Sequence, residues 1–259
     1  MSELHHKIWE KINNNWKAVL GAILVFFVFT GSYAFGAEVL LVVGKKVVVG
    51  EKVLRAGDLS IKNHLENRGF NVIIQEDTIV KSESALGRDI VILSESARSK
   101  EIGTKFRDVA VPVICSEPWI FTSLGMTGQT KRVDFGRKSR QTKIKCLNPD
   151  HPLCASCSEE VQVSRKCFYM GWGVPGENAI AIAALPKDPD KCTIFAYETG
   201  AEMPGLVAPA IRVGLFLFRN TANSFTADGW ALFDAAVDWS ISNAQTDINA
   251  GLQTNNFEE

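Results

Sequence analysis

The stretch VLLVVG, residues 39–44, decides the fold. It is an unbroken apolar run rich in valine and closed by a glycine. That pattern describes a short strand covered on both faces, because a strand with one wet side alternates apolar and polar residues. The sequence that follows supplies the covering layers. In DLSIKNHLENRG, residues 58–69, Ile61 and Leu65 stand four apart on one helical face, with Asp58 as N-cap and Gly69 as the stop. FNVIIQED (70–77) and RDIVILSES (88–96) are further strands, KEIGTKFRDV (100–109) is a weak helical connector, and VPVICSE (111–117) is a fourth strand. Strands and helices alternating over short connections predict a parallel sheet with right-handed crossovers.

Past residue 128 the character changes. GQTKRVDFGRKSRQTKIK, residues 128–145, is basic and has little to bury, and it leads into a cysteine-rich section. Residues 128–170 are therefore expected to be an irregular excursion from the sheet. Regular structure returns with AIAIAAL (179–185), CTIFAYETG (192–200) and IRVGLFLF (211–218), three strands separated by Pro/Asp or Gly/Pro turns. TADGWALFDAAVDWSI (226–241) predicts a helix, with Trp230, Phe233, Val237 and Ile241 on its apolar face and Thr226 or Asp228 as cap. Residues 243–259 are mostly polar and read as a flexible tail.

Four stretches carry a resemblance: GTKFRDVAVPVICSEPWIFTSLGMTG (103–128), NPDHPL (148–153), FAYETGAEMPG with APAIRVGLFLF (195–218) and FTADGWALFDAAVDW (225–239). Together they resemble an uncharacterised domain of exported bacterial envelope proteins. That domain is similar to the class I glutamine amidotransferase-like superfamily, near its trehalose-utilisation branch. The resemblance covers most of residues 38–242 and implies a flavodoxin-like three-layer sandwich with a mostly parallel sheet, into which the cysteine-containing segment is inserted.

The same resemblance implies where catalysis would lie. Amidotransferases of this superfamily place a nucleophilic cysteine on a glycine-flanked turn between strand and helix, served by a late histidine. Cys115 ends a strand here, but its neighbours, VICSEPW, contain no glycine to permit a sharp elbow. The histidines are His5, His6, His64 and His151, and none follows residue 151. No catalytic residue is assigned on these grounds. Glu117 and Trp119, just beyond a parallel strand, and Glu95, beyond another, are candidate ligand-binding residues, since open α/β sheets bind ligands past the carboxyl ends of their strands. The simpler alternative has Glu117 capping the next turn and Trp119 packing. The loop after the first strand, GKKVVVGEKVLRAGD (44–58), lacks the glycine spacing of dinucleotide and phosphate loops, and no cofactor is expected.

The N-terminus places the chain. Lys7, Lys11 and Lys17 precede the apolar run AVLGAILVFFVF, and small residues follow at Ser32, Ala34 and Gly36. Residues 1–37 are thus a signal peptide or an uncleaved signal anchor, with residues 18–37 long enough to span a bilayer. Either reading exports the remainder to the periplasm or cell surface, and membrane contact would run through 18–37 alone. With 28 basic and 29 acidic residues the formal charge is −1, which argues against a nucleic-acid partner. An envelope protein or surface polysaccharide fits better, the basic segment 131–145 being suited to an acidic polymer. Self-association is left open.

Export bears on the six cysteines, Cys115, Cys146, Cys154, Cys157, Cys167 and Cys192. Outside the cytoplasm disulfides persist, so Cys146, Cys154, Cys157 and Cys167 are expected to form two bridges that brace the excursion. The alternative is zinc, held by those four with His151 as a substitute ligand. The leading functional expectation is a non-catalytic binding or structural module of the envelope. A carbohydrate-active enzyme using Glu117 and a subunit of an extracellular assembly are the alternatives.

Overall fold

Strand β1, Glu38–Val43, carries its apolar run because it has no wet face. Val39, Leu41 and Val43 enter one core cluster, and Leu40 and Val42 enter a second on the other side of the sheet. The computed structural model describes residues 36–45, 47–48, 51–155, 157, 159–217 and 219–255, all within one compact unit, Gly36–Glu259. The expected leader, apart from Gly36 and Ala37, lies outside the described residues.

A two-stranded ribbon of β2 (Val47–Val48) and β3 (Glu51–Lys52) follows β1. Helix α1 (Ala56–Asn67) then crosses to β4 (Asn71–Glu76), and β5 (Ile90–Leu93), the one-turn helix α2 (Ser99–Ile102), β6 (Val113–Cys115) and the one-turn helix α3 (Pro118–Phe121) complete the first half. The second half contains β7 (Phe135–Gln141), β8 (Lys143–Cys146), β9 (Glu160–Gln162), β10 (Phe168–Gly173), β11 (Ile180–Leu185), β12 (Asp188–Tyr197), β13 (Arg212–Leu215) and the long helix α4 (Ala227–Asn255).

Strands β4, β1, β5, β6 and β13 lie side by side in that order and are parallel. Counted within this set, the order is second, first, third, fourth, fifth, the flavodoxin-like arrangement. Ile61 and Leu65 of α1 and Leu232, Phe233, Ala236 and Val237 of α4 fill the cluster on one face. Ile102 of α2 and Ile120 and Phe121 of α3 fill the other. The two clusters give the three layers.

The sheet does not stop at β13, and here the structure corrects the expectation of a mostly parallel sheet. β12, β11, β8 and β9 continue it in antiparallel fashion, and β10 pairs with β12 and β7. Residues 128–170 are accordingly not irregular. In β8 and β9 the sequences KIKC and EVQ bury Ile144, Cys146 and Val161 while Lys143, Glu160 and Gln162 face out. Such alternation suits antiparallel strands with one solvated side, and the density of charge hid it.

Two helix ends also differ in detail. Arg55, not Asp58, is the N-cap of α1, and it makes no side-chain cap. The Asp58 carboxylate turns inward to accept hydrogen bonds from the Ser94 hydroxyl and from Ser96 Oγ at 2.8 Å. Gly69 ends α1 at φ +92°, a conformation that favours glycine. On α4, Thr226 Oγ1 accepts the Gly229 N–H at 3.0 Å and is the cap. The helix continues to Asn255, so residues 243–255 are helical where a flexible tail is expected. Once the packed part is nucleated, each further residue adds a backbone hydrogen bond.

Candidate ligand site at the ends of the parallel strands

The crevice of a doubly wound sheet lies where neighbouring strands connect in opposite directions, here between β1 and β5. In this chain that gap is tied shut. Gly44 lies so close to the Ser96 carbonyl that a Cβ there would sit 1.9 Å from the oxygen. The Gly44 N–H donates to Ser96 Oγ at 2.9 Å, and Asp58 fastens Ser94 and Ser96 from below. Asp58 is buried, and desolvation raises its pKa above the ordinary carboxylate value against the lowering pull of the two serines and Arg55.

One strand pair further on, Leu93 and Cys115 are in register and the Ser116 N–H bonds to the Leu93 carbonyl. Glu95 and Glu117 therefore leave the sheet at the same end of adjacent strands. Cys115 is fully buried, and its Sγ donates to the Glu117 carbonyl at 3.5 Å. Burial pushes its thiol far above the normal range, with the backbone contact opposing and the Glu117 charge reinforcing. A neutral, enclosed thiol is a poor nucleophile. Both described histidines sit on the opposite face of the sheet. His64 meets Asp234 at 2.7 Å and stacks on Trp230, and His151 packs beside Trp239. His5 and His6 lie outside the described residues.

The Glu117 carboxylate accepts the Trp119 N–H at 3.2 Å and is the N-cap of α3, with Pro118 in the first turn. The simpler alternative thus describes its local role. Trp119 does more than pack. Its ring meets Phe135 edge-on, and Arg137 and Lys131 lie over it at 5.0 and 5.6 Å. Arg137 also lies over the ring of Tyr169, at 5.1 Å. Arg137, Lys131 and Tyr169 are exposed, while Trp119 is half-buried. β7 and β10 bring Arg137 and Tyr169 here from the two sides of the excursion. Gly171 seats β10 against Pro118, where a Cβ would come within 2.7 Å of the ring.

Sequence reasoning missed Tyr169 altogether and saw Arg137 and Lys131 only as a basic run. The signal was present in β10, where exposed Tyr169 precedes buried Met170, but partners distant in sequence give it meaning.

The second cluster surrounds the cysteines. Cys146 and Cys154 lie at disulfide distance. Cys157 Sγ is 2.7 Å from Cys154 Sγ, and the three sulfurs lie within 4.8 Å of one another. Cys167 is exposed outside this group and makes no second bridge. His151 is not among them either, its Nδ1 accepting the Leu153 N–H at 3.2 Å. Cys115 and Cys192 remain separate thiols, because β13 lies between their strands.

No known family profile and no curated protein matches the sequence. Among solved structures, a ThuA-like protein from Bacteroides uniformis superposes with a TM-score of 0.53 at 10% identity, over 82% of this chain and 95% of that one. The glutaminase domain of Trypanosoma brucei CTPS, with bound acivicin, aligns with a TM-score of 0.39 at 9% identity, over 78% of this chain and 94% of that one. The first likeness is one of fold alone.

Proposed function

We propose that this chain is an exported, non-catalytic binding module of the cell envelope that holds an acidic surface polysaccharide against Trp119, Arg137, Lys131 and Tyr169. The observation that carries the reading is the Arg137 guanidinium lying over both Trp119 and Tyr169 at about the same distance. Aromatic faces stack on the apolar faces of sugar rings, and a guanidinium beside them offers paired donors to a carboxylate or sulfate. The buried, neutral Cys115 and the histidines on the far face support a non-catalytic role. The carboxylate-based enzyme is less well supported, since the Glu117 side chain is engaged in capping α3.

Affinity electrophoresis through gels containing a polyuronate, a sulfated glycan or a neutral glucan tests the reading. The two acidic polymers are expected to retard the protein, with an effect that fades as salt is raised. Arg137→Ala and Trp119→Ala are each expected to weaken retardation at least tenfold. Equal migration in all three gels, or retardation unchanged in Arg137→Ala, overturns it.

A further inference from the structure

The cysteine cluster contains one sulfur more than a bridge requires. Cys146 ends β8, Cys154 lies in a short 3-10 turn (Pro152–Cys154), and Cys157 follows after a reversal. Ala155 takes a left-handed conformation, φ +49°, and the Cys157 N–H returns to the Cys154 carbonyl at 2.9 Å. That turn presents two sulfurs of a C-x-x-C motif to the same point, where the third arrives from the sheet. A single zinc ion with bonds of about 2.3 Å holds its sulfurs about 3.8 Å apart, so the bridged Cys146–Cys154 pair and the 2.7 Å contact of Cys154 with Cys157 open when the bond is reduced and the metal enters, while all three sulfurs already lie within 4.8 Å of one another. The Cα atoms of Cys146 and Cys154 are 7.1 Å apart, just beyond the range of about 4.4–6.8 Å usual for bridged cysteines. Two ligands of one metal span this distance without difficulty.

The surroundings of the three sulfurs differ. Cys146 and Cys154 are buried within the core cluster that includes Leu153, which keeps water from two of the sulfurs. Cys157 instead lines a cleft of about 270 Å3 whose walls include Glu160, Gln162 and Asp228. Glu160 is paired with Lys143 at 2.7 Å. Asp228 stands in the first turn of α4.

We infer that Cys146, Cys154 and Cys157, in their reduced form, make a three-thiolate site for one zinc ion whose fourth position opens onto the cleft beside Asp228. Thiolate donors select zinc over hard cations, and a position left to an oxygen ligand is compatible with it. The bridged and metal-bound forms exclude each other. A dithiol supplies two electrons and two protons to open the Cys146–Cys154 bond, or a phosphine supplies the two electrons while water gives the two protons and the oxygen of the phosphine oxide, and zinc then displaces the protons of the three thiols.

The test uses the full-length chain, reduced with a phosphine under inert gas and titrated with Zn2+ against a chromophoric chelator. One zinc per chain is expected. Cys157→Ser is expected to lower the affinity at least tenfold, and Cys167→Ser to leave it unchanged. Cobalt(II) in the wild-type chain should give a thiolate-to-metal charge-transfer band, a readout that does not depend on any variant folding. Failure of the reduced wild type to take up zinc, a cobalt spectrum lacking that band, or undiminished binding by folded Cys157→Ser overturns the site and leaves a bridge with an idle neighbouring thiol.

Discussion

Asp77 and Asp58 are both buried carboxylates, and their surroundings push them in opposite directions. For Asp77, burial alone would raise the pKa, but the Arg98 side chain and backbone N–H, at 2.8–2.9 Å, together with its charge, bring it below the ordinary value. A depressed carboxylate contributes stability above its unfolded pKa and loses it as pH falls through the folded one. Asp77→Asn is expected to lower stability at pH 7 by about 1–2 kcal/mol, since Arg98 is half exposed and solvent screens the pair. In urea titrations its deficit against wild type should shrink toward pH 3. A constant deficit would show that charge plays no part. Asp58, with its raised pKa, carries the reverse sign: the fold is favoured below the unfolded pKa and loses that contribution as pH rises through the folded value. The thiols offer a second residue-level check. Brief iodoacetamide treatment of the folded chain should label Cys167 and spare Cys115 and Cys192, which are buried, as peptide mass mapping would reveal. Labelling of Cys115 would mean that its side chain is reachable and that catalysis must be reconsidered.

At the scale of elements, the loops after β1 and β5 are packed backbone to backbone. Gly44→Ala would drive a Cβ into the Ser96 carbonyl, a rigid neighbour. The expected loss is about 2–4 kcal/mol, read as a lower urea midpoint at unchanged slope. Wild-type stability would show that the loops part easily. Arg212 anchors another junction. It is fully buried in β13, and its guanidinium donates to the carbonyls of Arg107, Val109, Val111, Ala210 and Ile211. Burial lowers its pKa to about 10 against the raising effect of Asp108. IRVGLFLF reads as a strand from its apolar residues, and nothing in it reveals that the arginine faces five carbonyls. In the basic excursion the density of charge hid the alternation, and nothing local named the strands' partners.

Across the whole molecule, α4 touches β5, β6 and β13 of the parallel set and β9 of the extension, and β12 and β13 join the two halves edge to edge. Equilibrium unfolding followed by tryptophan fluorescence and by far-ultraviolet circular dichroism should therefore give coincident transitions. Separate midpoints would mean that the antiparallel half melts alone.

The sequence by itself determined the parallel strands and the helices around them, since burial on both faces and helical spacing are local patterns that few other structures accept. It also determined that Cys115 lacks a glycine elbow, and it marked Glu117 and the C-x-x-C pair as residues to weigh. Only the tertiary structure decided that the basic excursion extends the sheet, that Arg137 joins Trp119 to Tyr169, and that Cys146 rather than Cys167 meets Cys154 and Cys157. Each of these joins residues far apart in sequence, and the physical reason is strand pairing. Which edges meet depends on the apolar area and backbone hydrogen bonds that the whole chain can satisfy at once, and no single stretch records that balance.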